Sequence, residues 1–476
     1  MPELHLPLIE AAILFPLIAA LIVSQVKRPD VARRWSLIAS CLALACTTFA
    51  WQDFLGLGVP IAHDHWNLTE RLIGQDIFAI DYLTAPLLPS VSLLFVLTIL
   101  STLRTKIRRF SFAWTLLAMS LTQATLCCQD SWGIISLLAL STVPPYFELK
   151  SRGKSTRIYV IHMAAFVGLM VFGQACRSFE GNQTQASLCS SVPLLMAALI
   201  RCGVAPVHVW LTDLYENATF GTALLYTTPL CGAYAIVHLV LPSAPGWVLQ
   251  WLGLLSLITA VYAAGMAMVQ KDVRRFFSYL FLSQSSLVLV GLESVSQVGL
   301  TGGLCVWASV VLALSGCGLT LRALESRFGH FELRQYRGLY EHVPSLAVCF
   351  LLTGLGSVGF PGTIGFVGTE ILIDGVVGTY PHVGMLLIMA AALNGIAIMR
   401  AYFLLFTGTR HVSSVSLRVS LPERLSVLTL AALILGGGFV PQPGIHMSSN
   451  AAEEIISARP HDPSTHQVDD TGHESA

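Results

Sequence analysis

An all-α polytopic membrane protein of about fourteen transmembrane helices, two of them broken, is the fold this sequence predicts. Three observations carry that expectation. Of the 476 residues, 54% are hydrophobic and only 11% charged, with a mean hydropathy of +0.69, against about 25% charged in a soluble domain. Basic residues gather in alternate connections between apolar runs, and two of the runs are interrupted by proline and glycine. The formal net charge is zero with no long basic or acidic block, which argues against nucleic acid as a partner.

Windows of roughly 20 apolar residues centre near positions 15, 43, 94, 119, 139, 167, 201, 230, 257, 284, 312, 355, 395 and 432. The first lacks a basic n-region and is long enough to span, so it is expected to be retained rather than cleaved. Connection one to two carries Lys27, Arg28, Arg33 and Arg34; three to four carries Arg104, Lys106, Arg108 and Arg109; five to six carries Lys150, Arg152, Lys154 and Arg157. The same face later receives Lys271, Arg274 and Arg275, then Arg322, Arg327, Arg334 and Arg337, then Arg410, Arg418 and Arg424. Basic loops stay cytoplasmic, so both termini are expected outside the cytoplasm. An invented or missed span would throw every later basic loop to the wrong side.

On the opposite face lies the long connection Gln52 to Ile80, with Asp53, His63, Asp64, His65, Glu70 and Asp76. Cys176 and Cys189 bracket another external loop across which a disulfide is chemically allowed. The remaining cysteines, among them Cys41, Cys46, Cys202, Cys231, Cys305, Cys317 and Cys349, read as small buried hydrophobes. Past Pro441 the chain is polar and acidic, and its composition predicts disorder. His446, His461, His466 and His473 there have no fixed spacing, and no metal site is assigned.

The first interruption is Arg201 to Leu211, RCGVAPVHVWL, which sets a charge, a helix breaker and two polar aromatics inside an apolar segment. Pro206 removes a backbone donor and clashes with the preceding turn. Broken helices at membrane depth line polar cavities. The second is Gly359 to Gly365, GFPGTIG. The two lie about five spans apart, an odd number that would make two repeated halves inverted.

Polar groups inside the spans are Asp81, His162, Arg201, His208, Tyr226, His238, Glu370, Asp374 and Arg400, each costly enough to need a reason. Asp272 and Arg274 stand at a span end, where charged residues commonly anchor at the interface. His208 is either a histidine satisfied by unwound backbone or a group titrating in the useful range. Glu370 follows the second break directly and is an interfacial carboxylate or a protonatable site. No nucleotide loop, nucleophile triad or metal cluster is present in the sequence, and no catalytic residue is assigned.

Four segments together resemble the antiporter-like membrane subunits of respiratory complex I (NADH:quinone oxidoreductase) and of Mrp-type cation/proton antiporters. They are IDYLTAP at Ile80 to Pro86, GVAPVHVWL at Gly203 to Leu211, VQKDVRRFFSYLFLSQ at Val269 to Gln284, and GFPGTIGF at Gly359 to Phe366. The resemblance implies two inverted five-helix repeats with buried charges conducting protons along the midplane. It also implies three parts: 1–78, a two-helix segment with an external loop; 79–440, the antiporter-like transmembrane domain; and 441–476, the tail.

The charge relay departs from the family pattern. Ala139 stands where the family places a glutamate, and Arg201 where it places a lysine; guanidinium does not give up its proton in a protein. The eighth-span lysine or histidine falls near Tyr226 or Leu230, the eleventh-span histidine near Trp307 to Ser309, and the twelfth-span charge at Thr369, one position before Glu370. From the resemblance the ion-pathway candidates are Arg201 as a fixed gate, His208 and Glu370 as protonatable sites, Tyr226, and Asp272 with Arg274 as a cytoplasmic-end ion pair. Three functions stay open: a proton- or cation-conducting subunit of a complex-I-like assembly in a bacterial inner membrane, the membrane half of a two-component inorganic-carbon uptake system, and a non-conducting scaffold. Flavin and iron–sulfur centres would belong to partner subunits, and this chain is expected to hold no cofactor.

Overall fold

The computed structural model describes residues 2–66, 68–74, 76–103, 107, 110–180, 188–294, 296–330, 332–378, 380–409 and 419–459. Arg104, Lys106, Arg108, Arg109, Arg410, Arg418, His461, His466 and His473, named above, lie outside the described residues. In hydrocarbon every backbone N–H and C=O must find a partner within the protein, and apolar runs therefore fold as helices.

In chain order these are α1 (Leu8–Gln25), α2 (Pro29–Leu57), α3 (Leu68–Ile73), α4 (Thr84–Leu100), α5 (Phe112–Cys127), α6 (Ser131–Ser141), α7 (Val143–Ser151), α8 (Arg157–Glu180), α9 (Leu188–Cys202), α10 (Val209–Asn217), α11 (Phe220–Thr227), α12 (Cys231–Ala235), α13 (Gly246–Val269), α14 (Val273–Glu293), α15 (Gln297–Ser309), α16 (Ser315–Phe328), α17 (Pro344–Val358), α18 (Ile364–Val377), α19 (Pro381–Phe406), α20 (Leu421–Phe439) and α21 (Gln442–Ser457). π-Helical turns at Ile236–Val240 and Val310–Leu314 continue α12 and join α15 to α16.

Among the described residues, nine helical runs are long and apolar enough to cross a membrane: α1, α2, α8, Phe220–Val240, α13, α14, Gln297–Phe328, α19 and α20. Shorter apolar helices are α4, α5, α9 and α17. In the runs Phe220–Val240, Val273–Glu293 and Gln297–Phe328, 94%, 89% and 94% of an apolar 18-residue stretch is buried inside the protein, against 33–50% in the other six. Those three therefore form the centre, and the outer helices present apolar side chains such as Leu21, Ile161 and Met385 outward, as lipid-facing helices do.

Residues of the long connection pair as a short ribbon, β1 (Ile61–His63) antiparallel to β2 (Ala79–Asp81), with Ile61 opposite Asp81. The Asp81 carboxylate then accepts from the Thr84 N–H at 2.8 Å and its hydroxyl at 2.9 Å, which fixes the entry to α4. Helices α15 and α18 pack closely. A Cβ on Gly302 would sit 2.2 Å from Leu372 N, and one on Gly375 would sit 2.1 Å from Gly299 N. Small residues let membrane helices approach to backbone contact.

Two expectations are corrected. The chain past Pro441 carries α21 where composition predicts disorder, because Met447, Ala451 and Ala452 recur on one face and are buried. Small alanines make that stripe faint in a hydropathy profile. Arg459 anchors the helix by donating to Leu292 O and Ser294 O at 2.8 Å each. Cys41, expected inside, faces outward on α2.

Asp64, which follows β1, is 1% exposed, and its Oδ2 accepts the Glu10 N–H at 2.6 Å. Burial, with the nearby Glu10 charge adding to it, pushes this carboxyl up to about 6 from an ordinary 3.8. A folded-state value above the unfolded one means that the folded protein holds this proton more tightly. Its contribution to stability is therefore full below about pH 4 and lost as pH rises through 6. Thermal unfolding in detergent should show that loss, about 3 kcal/mol in size, and Asp64→Asn should flatten this part of the profile. An unchanged slope in the variant would contradict the assignment.

Candidate functional site

The sequence around Arg201 unwinds where its residues require it. Helix α9 ends at Cys202, Gly203 takes a φ of +75°, and α10 resumes at Val209. Pro206 has no N–H to offer, and the amides and carbonyls freed by the break find other partners. Ala205 N donates to Thr259 Oγ1 of α13 at 3.1 Å, and the Trp210 indole donates back across the break to Ile200 O at 2.8 Å.

Arg201 is 4% exposed. Its Nη2 donates to Tyr226 O at 3.2 Å, and its guanidinium lies 4.0 Å from the Tyr226 ring centre and 6.0 Å from that of Trp210. Tyr159 closes the cage, 6.2 Å from Tyr226 and 6.4 Å from Trp210, with its hydroxyl donating to Thr142 O at 2.8 Å. The Tyr226 hydroxyl donates to Met163 Sδ at 3.3 Å. Among the described residues no carboxylate forms an ion pair with Arg201, whose titratable neighbours are Tyr226, Cys231, Tyr159 and Cys202. A desolvated cation over an aromatic face gains about 2 kcal/mol, far less than an isolated charge loses on burial.

The other candidates stand apart from this cage. His208 opens α10, half-buried, with its ring 5.6 Å from Tyr262 and 6.0 Å from Tyr279. Glu370 and Asp374 are one turn apart on α18 and both are exposed, facing away from the bundle. Asp272 caps α14, accepting from the N–H groups of Arg274 and Arg275 at 2.8 and 2.9 Å, and its ion partner is His330 at 2.6 Å.

The expected pair of Asp272 with the Arg274 side chain is replaced by another arrangement. Arg274 forms a bidentate pair with Glu325 of α16, Nε to Oε2 at 2.8 Å and Nη2 to Oε1. Its Nη1 donates to Tyr215 O, Glu216 O and Ala218 O at 3.0, 2.9 and 2.8 Å, satisfying the end of α10. The planar fork allows both tasks at once. Glu148 opens α11 by accepting from Thr219 N at 2.7 Å and from the Thr222 hydroxyl.

Sequence reasoning missed Tyr159 and Glu325. Tyr159 and Met163 are four residues apart on one face of α8, a helical spacing that could have drawn attention to the tyrosine. Glu325 is 51 residues from Arg274, and no local pattern joins them. Among the described residues the interior also holds buried polar atoms without a protein partner: Ser256 Oγ, Gln284 Nε2, Ser309 Oγ and Asn394 Oδ1. Buried groups in that condition ordinarily hold water or an ion.

A family model described as NADH:quinone oxidoreductase/Mrp antiporter, transmembrane, matches residues 158–395. The chain is 25% identical over 471 residues to NADH-quinone oxidoreductase subunit M of Pseudomonas aeruginosa, covering 87% of this chain and 91% of that one. The Rickettsia prowazekii subunit M is 23% identical over 503 residues, covering 95% and 99%. The fold is similar to a chain of the Mrp complex from Dietzia sp. DQ12-45-1b, with a TM-score of 0.78 at 18% identity over 95% of this chain and 99% of that one. It is equally similar to a chain of respiratory complex I from Thermus thermophilus, with a TM-score of 0.78 at 20% identity over 94% and 99%.

The two buried arginines should respond oppositely to removal. Arg274→Ala strands the Glu325 carboxylate and three carbonyls and should cost about 3–5 kcal/mol, read as a large fall in Tm in detergent. Arg201→Met removes a buried charge with no anionic partner and should leave Tm unchanged or raise it. Equal losses in the two variants would contradict this account.

Proposed function

Because the chain belongs to the NADH:quinone oxidoreductase/Mrp antiporter transmembrane family, we propose that it is a membrane subunit that moves protons or monovalent cations as part of a multi-subunit assembly. Its relatives are subunits of NADH-quinone oxidoreductase, and the chemistry that drives such movement would reside in membrane and soluble partners. The observation that carries the reading is Arg201, buried over the Tyr226 ring where α9 gives way to α10. A fixed cation at an unwound point inside a bundle is costly, and such charges mark ion pathways.

The nine long spans, the four shorter apolar helices and the α6–α7 segment support the expected fourteen crossings. On this reading α9–α10 and α17–α18 are the two broken helices of inverted five-helix repeats within 79–440. Residues 1–78 and 441–476 flank that unit, and both termini lie outside the cytoplasm of a bacterial inner membrane. Arg201 acts as a fixed gate and not as a relay, because guanidinium stays charged. Ions pass it along buried hydroxyls and amides such as Ser309, Gln284 and Asn394, whose unpartnered atoms favour hydration. The outward placement of Glu370 suits a role at a subunit boundary better than one inside the bundle.

The test is to purify the tagged chain from its native membrane in mild detergent and identify its partners together with bound flavin, iron and zinc. Antiporter-like or redox subunits should accompany it. A single large zinc protein without redox centres would overturn the proposal in favour of carbon uptake. In a liposome pH-jump assay of that complex, Arg201→Lys should leave proton conduction within about threefold of the parent, less than the tenfold effect of 1.4 kcal/mol. A large change in either direction would show that residue 201 is a relay after all.

A further inference from the structure

At the end of the bundle where the arginine-bearing connections meet, a cavity of about 170 Å³ lies between α4, α7, α11, α14 and α16. Its lining includes Arg152, Arg274 and Arg322 together with the apolar Leu103, Phe110 and Phe220. Three guanidinium groups thus gather at one cavity.

Their charges are unequally answered. Arg274 is paired with Glu325, and Arg152 approaches Glu148 at 3.8 Å. Glu423, the next carboxylate whose field reaches this corner, pairs with Arg327 at 2.5 Å. Arg322 bonds only neutral oxygens: Nη1 to Thr98 O at 2.8 Å and Ser101 Oγ at 3.0 Å, and Nη2 to Thr102 Oγ1 at 2.8 Å. Its guanidinium lies 5.1 Å from the Phe110 ring centre. Among the described residues Arg322 therefore has no carboxylate within ion-pair distance, although the charges of Glu423, Glu148 and Glu325 reach it.

We propose that this cavity binds a phosphate oxyanion, and that a singly charged phosphodiester is its natural occupant. The one guanidinium without a carboxylate at ion-pair distance matches a monoanion. Arginine forks fit the geometry of phosphate oxygens, and Leu103, Phe110 and Phe220 offer an apolar wall to the carbon side of an ester. Two sources carry this chemistry: the headgroup of an anionic phospholipid in the adjoining leaflet, where basic pockets between membrane helices hold headgroups, and free phosphate from solvent. Arg322 holds one oxygen from the inner wall. Arg152, whose side chain is 36% exposed, closes the outer rim.

The full chain, purified with whatever subunits accompany it and stripped of lipid, is titrated separately with phosphatidylglycerol in mixed micelles, phosphatidylcholine in mixed micelles, and inorganic phosphate. The readouts are thermal stability and native mass spectrometry. Phosphatidylglycerol should raise Tm and persist as a bound adduct, and phosphatidylcholine should not. Arg152→Gln and Arg322→Lys should each weaken binding about tenfold, the equivalent of 1.4 kcal/mol. Arg152 stands at the rim, so its variant tests the site even if Arg322→Lys folds poorly. A response to inorganic phosphate alone, lost in the variants, supports the oxyanion site and assigns it to free phosphate. No response to either probe, or one that Arg152→Gln leaves intact, overturns the proposal.

Discussion

Arg274 is the constraint on which much of the bundle depends. One side chain joins α14 to α16 through Glu325 and closes the end of α10 through three carbonyls. Helix ends leave carbonyls that water would normally satisfy, and in a buried corner only a donor from another element can replace it. A lysine, with one nitrogen, could not reach the carboxylate and three carbonyls together. The break between α9 and α10 is affordable because its far end is held in this way.

Arg201 poses the opposite problem. Its neighbours are aromatic rings and one backbone carbonyl, and its charge is not neutralised by a carboxylate. A stable fold does not need such a group, which is why a role in ion movement is the better explanation for its presence. The two arginines look alike in the sequence, each buried within a span or at its end. Their surroundings separate them: Arg274 is paired with a carboxylate, and Arg201 is caged by aromatic rings.

The helical, multi-span character of the chain was legible because it rests on local rules, chiefly the length of its apolar runs. Arg201 and Tyr226 were both legible as polar groups in the wrong solvent, but their contact across 25 residues of chain was not. The same limit hid the pairing of Arg274 with Glu325 and left Asp272 assigned to the wrong partner, because adjacency in sequence was the only guide available. Glu370 illustrates a different limit. The sequence showed that it follows the second interruption directly, but which side of its helix meets the bundle is decided by the glycines of α15 and α18. Helix α21 was missed because alanines pack well while contributing little hydropathy.

The glycine seam between α15 and α18 also has a mechanical meaning. With Gly302 against Leu372 N and Gly375 against Gly299 N, the two backbones touch without side chains between them to act as bearings. Neither helix can roll or slide against the other without a clash, so they behave as one stiff rod. Compliance is left to the ends of that rod, at the π-helical turn Val310–Leu314 and at the non-helical residues between α17 and α18. A push delivered at the outward carboxylates of α18 would thus arrive at the π-helical turn, through a lever instead of a chain of side-chain rearrangements.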